Sequence, residues 1–61
     1  MANPRLVHRA HRIVGTDAYT SLSPAERRRF EEEVVQAGGI ADLPDKYRHI
    51  IEAGEREIQG Y

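Results

Sequence analysis

Ser23-Pro24-Ala25-Glu26-Arg27-Arg28-Arg29-Phe30-Glu31-Glu32-Glu33-Val34-Val35-Gln36-Ala37-Gly38-Gly39 is the stretch whose reading decides the fold. It opens with a helix start. The Ser23 hydroxyl can accept from a free backbone N–H, Pro24 suits the first helical turn, and Glu26 sits where a capping box needs it. Phe30, Val34 and Ala37 then recur at helical spacing, with Val35 at the edge of the same face. Gly38-Gly39 supplies the stop, with glycine free to take the left-handed conformation that ends many helices. The stretch predicts a helix over 24–37.

The chain to either side repeats this grammar. Asn3-Pro4 is a capping asparagine followed by proline at the first helical position. Leu6, Ala10 and Ile13 follow at helical spacing, flanked by Val7 and Val14, until Gly15, another expected left-handed stop. This predicts a first helix over 4–14. Thr16 to Leu22 reads as a connector with room for one helical turn, Tyr19 and Leu22 dipping into the core. After Gly39, Ile40 to Leu43 is a short loop with two apolar anchors. Pro44 is expected to begin the last helix, with Asp42 or Leu43 at its cap, because the residue before proline avoids helical angles. Tyr47, Ile50, Ile51, Gly54 and Ile58 form one apolar stripe, and Gly60 ends the pattern, giving a helix over 44–59. Gly54 costs about 1 kcal/mol against alanine inside a helix, so its place in the stripe suggests a close backbone approach. No segment alternates as a strand would. The expected architecture is all-α, a compact three-helix bundle with short connections spanning residues 1–61 as a single domain.

At 61 residues the chain buries a smaller fraction of its surface than a typical domain, so a stable but marginal fold is expected. The candidate core is Leu6, Val7, Ile13, Val14, Tyr19, Leu22, Phe30, Val34, Val35, Ile40, Leu43, Tyr47, Ile50, Ile51, Ile58 and Tyr61. There is no cysteine, which excludes disulfides and thiolate metal sites. Regular helices, a partner, or both must make up the difference. No apolar run of signal-peptide or membrane-spanning length occurs, so a cytoplasmic protein without membrane contact is expected.

The charge changes sign inside the quoted stretch. Up to Arg29 there are six arginines against two acids; from Phe30 on, eight acids stand against three bases. The net charge of −1 therefore conceals a strong internal asymmetry. On the first helix Arg5, Arg9 and Arg12 share one side, His8 and His11 lie nearby, and no acid is present. In the quoted helix Arg27, Arg28 and Arg29 can pair with Glu31, Glu32 and Glu33 at i, i+4. The order is the less favourable one, and arginine in a first turn opposes the helix dipole. The last helix is mostly acidic outside, through Asp45, Glu52, Glu55 and Glu57, with Glu52 and Arg56 in the favourable order. These observations select Arg5, Arg9, Arg12, Arg27, Arg28, Arg29 and Tyr61 as candidate partner-binding residues, arginine and tyrosine being common at binding hot spots.

Signatures of chemistry are missing. His8 and His11 could share a metal only with a third ligand, amid cations that repel it. Ser23 is a cap rather than a nucleophile, and no spacing links the serines to a base. Gly38-Gly39 follows a helix, not a strand, so it is no phosphate loop. No enzymatic activity, cofactor, metal or small-molecule substrate is expected. A helix-turn-helix reading of the last two helices meets a long connection and acids at Asp45 and Glu52, where phosphate would lie.

The chain resembles the short helical proteins encoded by bacteriophages, in its arginine-rich reading frame and in Leu43-Pro44-Asp45-Lys46-Tyr47-Arg48 opening a terminal helix. The resemblance implies a small virion component or a factor that binds a host protein, located in the virion or the host cytoplasm. The leading expectation is a protein-binding or assembly module, one form being head-to-tail self-association of basic half to acidic half. The alternative is a small nucleic-acid-binding protein using the first helix and Arg27 to Arg29. A third option is an inhibitor whose acidic half covers a basic enzyme surface.

Overall fold

The computed structural model describes residues 2–60. Among them the chain is all-helical, with four α-helices: α1 Pro4–Arg12, α2 Asp17–Thr20, α3 Pro24–Gln36 and α4 Asp45–Gln59. A 3-10 turn, Ile40–Asp42, links α3 to α4. The three long helices are those expected. The one-turn α2 lies in the expected connector and packs closely on α4, so the described fold has four helices rather than three. The radius of gyration, 10.6 Å, matches the value of about 10.5 Å that this length gives for a compact domain. No helix among the described residues is long and apolar enough to cross a membrane.

The caps work as expected at the starts of α1 and α3. The Asn3 Oδ1 accepts from the backbone N–H of Arg5 at 3.0 Å and of Leu6 at 3.4 Å. The Asn3 amide also donates to the Gly38 carbonyl at 2.8 Å, so one side chain caps α1 and ties it to the end of α3. At α3 the Ser23–Glu26 capping box is complete.

The helix ends differ from expectation. No glycine among the described residues adopts a left-handed φ. α1 stops at Arg12, before Gly15, because the backbone turns at Ile13: its carbonyl accepts from the Thr16 N–H at 3.0 Å and from the buried Thr16 hydroxyl at 2.6 Å. α3 stops at Gln36 because Ala37 is already extended. α4 starts at Asp45, with Pro44 at the cap and no side-chain cap from Asp42 or Leu43; Pro44 keeps its fixed φ but has an extended ψ of 147°.

The core is one cluster of Leu6, Ala10, Ile13, Tyr19, Leu22, Phe30, Val34, Ala37, Leu43, Tyr47 and Ile51. Phe30 is its centre. Tyr19 and Tyr47 meet the Phe30 ring edge to face, with centroids 5.8 and 5.7 Å away, a geometry the ring quadrupole favours. Val7, Ile40, Ile50 and Ile58 pack partly against the cluster. Val14 and Val35, both expected inside, are 46 and 54 % exposed. Val14 falls past the end of α1, and Val35 points away from the Phe30–Val34 face. Tyr61 lies outside the described residues.

Gly54 fulfils its expectation. It is buried, and a Cβ placed on it would lie 2.7 Å from the Ile13 Cβ and Cγ2 and 3.0 Å from the Thr16 Oγ1. The absence of a side chain lets the end of α1 sit directly on α4.

Candidate functional site

The close approach at Gly54 determines where the charges go. Residues flanking it on α4 are carried against α1 and α2. Glu55 receives both Arg9 nitrogens, Nε at 2.8 Å and an η nitrogen at 2.7 Å. A two-pronged guanidinium–carboxylate pair is the strongest common form of ion pair. The Arg9 hydrogen bonds hold the Glu55 carboxyl below the usual carboxylate range, with partial burial opposing them and the Arg9 and Arg12 charges adding to them. The same hydrogen bonds hold Arg9 above its ordinary value, against partial burial, and the charge of Glu52 adds to this.

Glu57 reaches the other side of the approach. Its two carboxylate oxygens accept from the backbone N–H groups of Asp17 and Ala18, each at 2.8 Å. These are free N–H groups at the start of α2, whose own cap residue, Thr16, makes no side-chain cap. A carboxylate from a distant helix thus performs the capping that is otherwise local.

Glu55 and Glu57 were both expected on a solvated acidic surface, and both instead hold the fold together. The signal that could have placed them is Gly54 itself. A glycine within an apolar stripe marks a seam, and the side chains one and three residues beyond it border that seam.

The structure divides the candidate partner-binding residues. Arg9 is consumed by Glu55. Arg27 is half-buried: its guanidinium lies over the Tyr19 ring, 5.7 Å from the centroid, and donates to the Thr20 carbonyl at 2.8 Å. Its Nε is buried and has no partner among the described residues. Burial holds the Tyr19 hydroxyl above its ordinary value, and nearby Glu31 adds to this. Arg5, Arg12, Arg28 and Arg29 are exposed. They line four separate hollows rather than one. Arg5 borders Asn3, Ile40 and Ala41. Arg12 borders Asp17 and Glu57. Arg29 borders Glu33 and Lys46. Arg28 borders Glu31, Glu32 and Val35. Three of the four hollows contain carboxylates, so the arginines do not merge into one basic surface. The Tyr61 expectation falls outside the described residues.

The expected i, i+4 ladder on α3 is not formed. The ion pairs among the described residues are Arg9–Glu55, Lys46–Glu26 and Arg48–Asp45. Arg27 is drawn to Tyr19 and Thr20, Glu31 faces the Tyr19 hydroxyl at 3.4 Å, and the remaining arginines and glutamates of the run extend separately. Glu52 and Arg56 likewise form no pair. Glu26 instead accepts from Lys46 at 2.6 Å, joining the first turns of α3 and α4. That hydrogen bond, together with the one from the Ser23 backbone, holds Glu26 below the usual carboxylate range.

His8 and His11 are exposed on α1. Among the described residues no three His, Asp or Glu side chains gather as a metal-holding group. Comparison with protein-family models, with curated proteins and with solved structures finds no match to this chain.

Proposed function

We propose that this chain is a small protein-binding or assembly module, its three long helices forming a bundle braced by α2. The observation that carries this reading is the outward face of α3. There Val35, more than half exposed, sits among Arg28, Glu31, Glu32 and Gln36. None of them is in an ion pair among the described residues, and only Glu31 reaches another element, through its 3.4 Å contact with the Tyr19 hydroxyl of α2. An apolar contact ringed by unpaired charges of both signs suits a protein surface better than a polyanion. The resemblance to short helical phage proteins supports a virion component or a host-protein-binding factor, acting in the virion or the host cytoplasm. No catalytic role and no small-molecule substrate form part of this reading.

The test is affinity capture followed by mass spectrometry, using the wild-type chain and a Val35→Asp variant as parallel baits. A protein held by the first and released by the second supports the reading. Equal capture by both baits removes the α3 face from it.

Nucleic-acid binding is the second reading. It is favoured by the outward side of α1, where Arg5, His8, His11 and Arg12 are exposed with no acid on their own helix. Binding of a labelled oligonucleotide that weakens steeply with salt would promote it. No change in fluorescence anisotropy at low salt would remove it.

A further inference from the structure

The outward side of α3 has an internal symmetry. At about 100° per residue, Arg28, Glu32, Ala25 and Val35 all fall within about 40° of the line opposite Phe30. All four are exposed, while Phe30 is buried. Arg28 and Glu32 are two residues to either side of Phe30, and Ala25 and Val35 are five residues to either side. Turning the helix end for end about the level of Phe30 exchanges the position of Arg28 with that of Glu32. It also exchanges Ala25 with Val35. Each residue meets its complement: cation with anion, and valine with a residue small enough to receive it.

We propose that α3 docks against α3 of a second copy of this chain, antiparallel and related by a two-fold axis at the level of Phe30. This deepens the assembly reading above and rests on it. The contact contains Arg28 against Glu32 of the second copy, twice, about 6 Å apart along the helix. Val35 against Ala25 of the second copy flanks them, also twice. Alanine at this place lets two helices approach to the 8–10 Å or so at which helices pack.

Two features of the free chain fit this use. Within one helix Arg28 and Glu32 stand in the weaker order for pairing, and neither forms an ion pair among the described residues. Both are therefore available at small cost. The pairing is isologous, so it closes at two chains and does not propagate, unlike a head-to-tail contact between basic and acidic halves. A head-to-tail contact also has fewer acids to draw on, because Glu55 and Glu57 are already engaged within the chain. A single helix face buries less than about 1,000 Å², which makes the dimer weak and concentration-dependent. Its two ion pairs, in a contact this small, make it sensitive to salt.

Sedimentation equilibrium of the full chain, from micromolar to millimolar concentration, tests the proposal. The apparent mass at low salt should rise with concentration towards that of two chains, and the rise should shrink at high salt. Arg28→Glu and Glu32→Arg each place like charges together twice and should weaken association by about tenfold or more. The doubly exchanged chain should recover it, and so should an equal mixture of the two single variants. Circular dichroism confirms that each variant is folded. Folded wild-type chain at one-chain mass throughout, single variants that associate like wild type, or growth past two chains would each overturn the proposal. A monomeric wild-type chain that still captures a foreign protein through Val35 would overturn the dimer and leave the wider protein-binding reading standing.

Discussion

The seam between α1 and α4 and the outward face of α3 are built from the same two charged residue types, and they use them in opposite ways. At the seam, Gly54 leaves room for the Ile13 and Thr16 side chains to sit directly on α4, and Arg9 and Glu55 meet beside it across 46 residues of sequence. On α3, three arginines and three glutamates stand at ideal local spacing, and no pair forms among them. Local spacing on an exposed helix offers a few tenths of a kcal/mol, which the entropy of two long side chains can cancel. A seam adds partial burial and a fixed partner, which lowers that entropic cost. Charge spent at a seam holds the fold together. Charge left idle on a face is available to a partner.

The largest effect should come from closing the gap at the seam. Gly54→Leu places a branched side chain where even a Cβ meets Ile13 at 2.7 Å. The expected loss is about 3 kcal/mol or more, enough to leave a chain of this size mostly unfolded. Gly54→Ala should still lose stability, by about 1–2 kcal/mol, although alanine improves helix propensity by about 1 kcal/mol. Circular dichroism melts measure both. A melting temperature unchanged by Gly54→Leu would break the account of the seam.

Next is the distant cap. Glu57→Ala leaves the Asp17 and Ala18 N–H groups without their carboxylate, at an expected cost of about 1–2 kcal/mol. The damage should be local. Hydrogen exchange at Asp17 and Ala18 should accelerate more than exchange in α3, and uniform acceleration would mean that Glu57 supports the whole fold instead.

A smaller loss, about 1 kcal/mol at neutral pH, is expected for Glu55→Gln, since the pair with Arg9 is only partly shielded from solvent. The sign of its pH dependence follows from the depressed Glu55 value. The carboxylate contributes fully above its value in the unfolded chain, about 4.3. Its contribution is lost as the pH falls through the lower value of the folded protein. Urea melts should therefore show wild type and Glu55→Gln converging as the solution is acidified from neutrality to about pH 3. A gap that persists unchanged at acid pH would show that the charge of Glu55 is not what stabilises.

The contrast between the two regions also explains what the sequence could reveal. Ser23-Pro24-Ala25-Glu26 and Asn3-Pro4 specify helix starts through contacts within four residues, so both were legible. Gly54 was legible as a place of close approach because nothing else justifies a glycine in an apolar stripe. The partners it admits were not, since Arg9 with Glu55 and Glu57 with α2 are set by how helices cross, which no local pattern encodes. Helix ends misled for a related reason: Thr16, a residue with no special standing in the sequence, turns the chain by hydrogen bonding to Ile13. Among the candidate binding residues, the arginine triplet was legible as unusual, but not that Arg27 would fold onto Tyr19 while Arg28 and Arg29 stayed in solvent.

The smallest effect on stability is expected on the outward face of α3, and that near-silence is itself the sharpest comparison with the seam. Arg28→Ala touches no ion pair among the described residues and improves helix propensity slightly. Val35→Ser removes an apolar side chain that is already more than half in water, at a cost of about 0.5 kcal/mol or less. Both variants should melt within about 0.5 kcal/mol of wild type, yet both should lose most of the concentration-dependent rise in mass. A residue whose removal costs the fold almost nothing while abolishing association is doing its work between molecules. A loss of stability as large as that of Glu57→Ala, with no change in association, would assign this face to the fold and erase its difference from the seam.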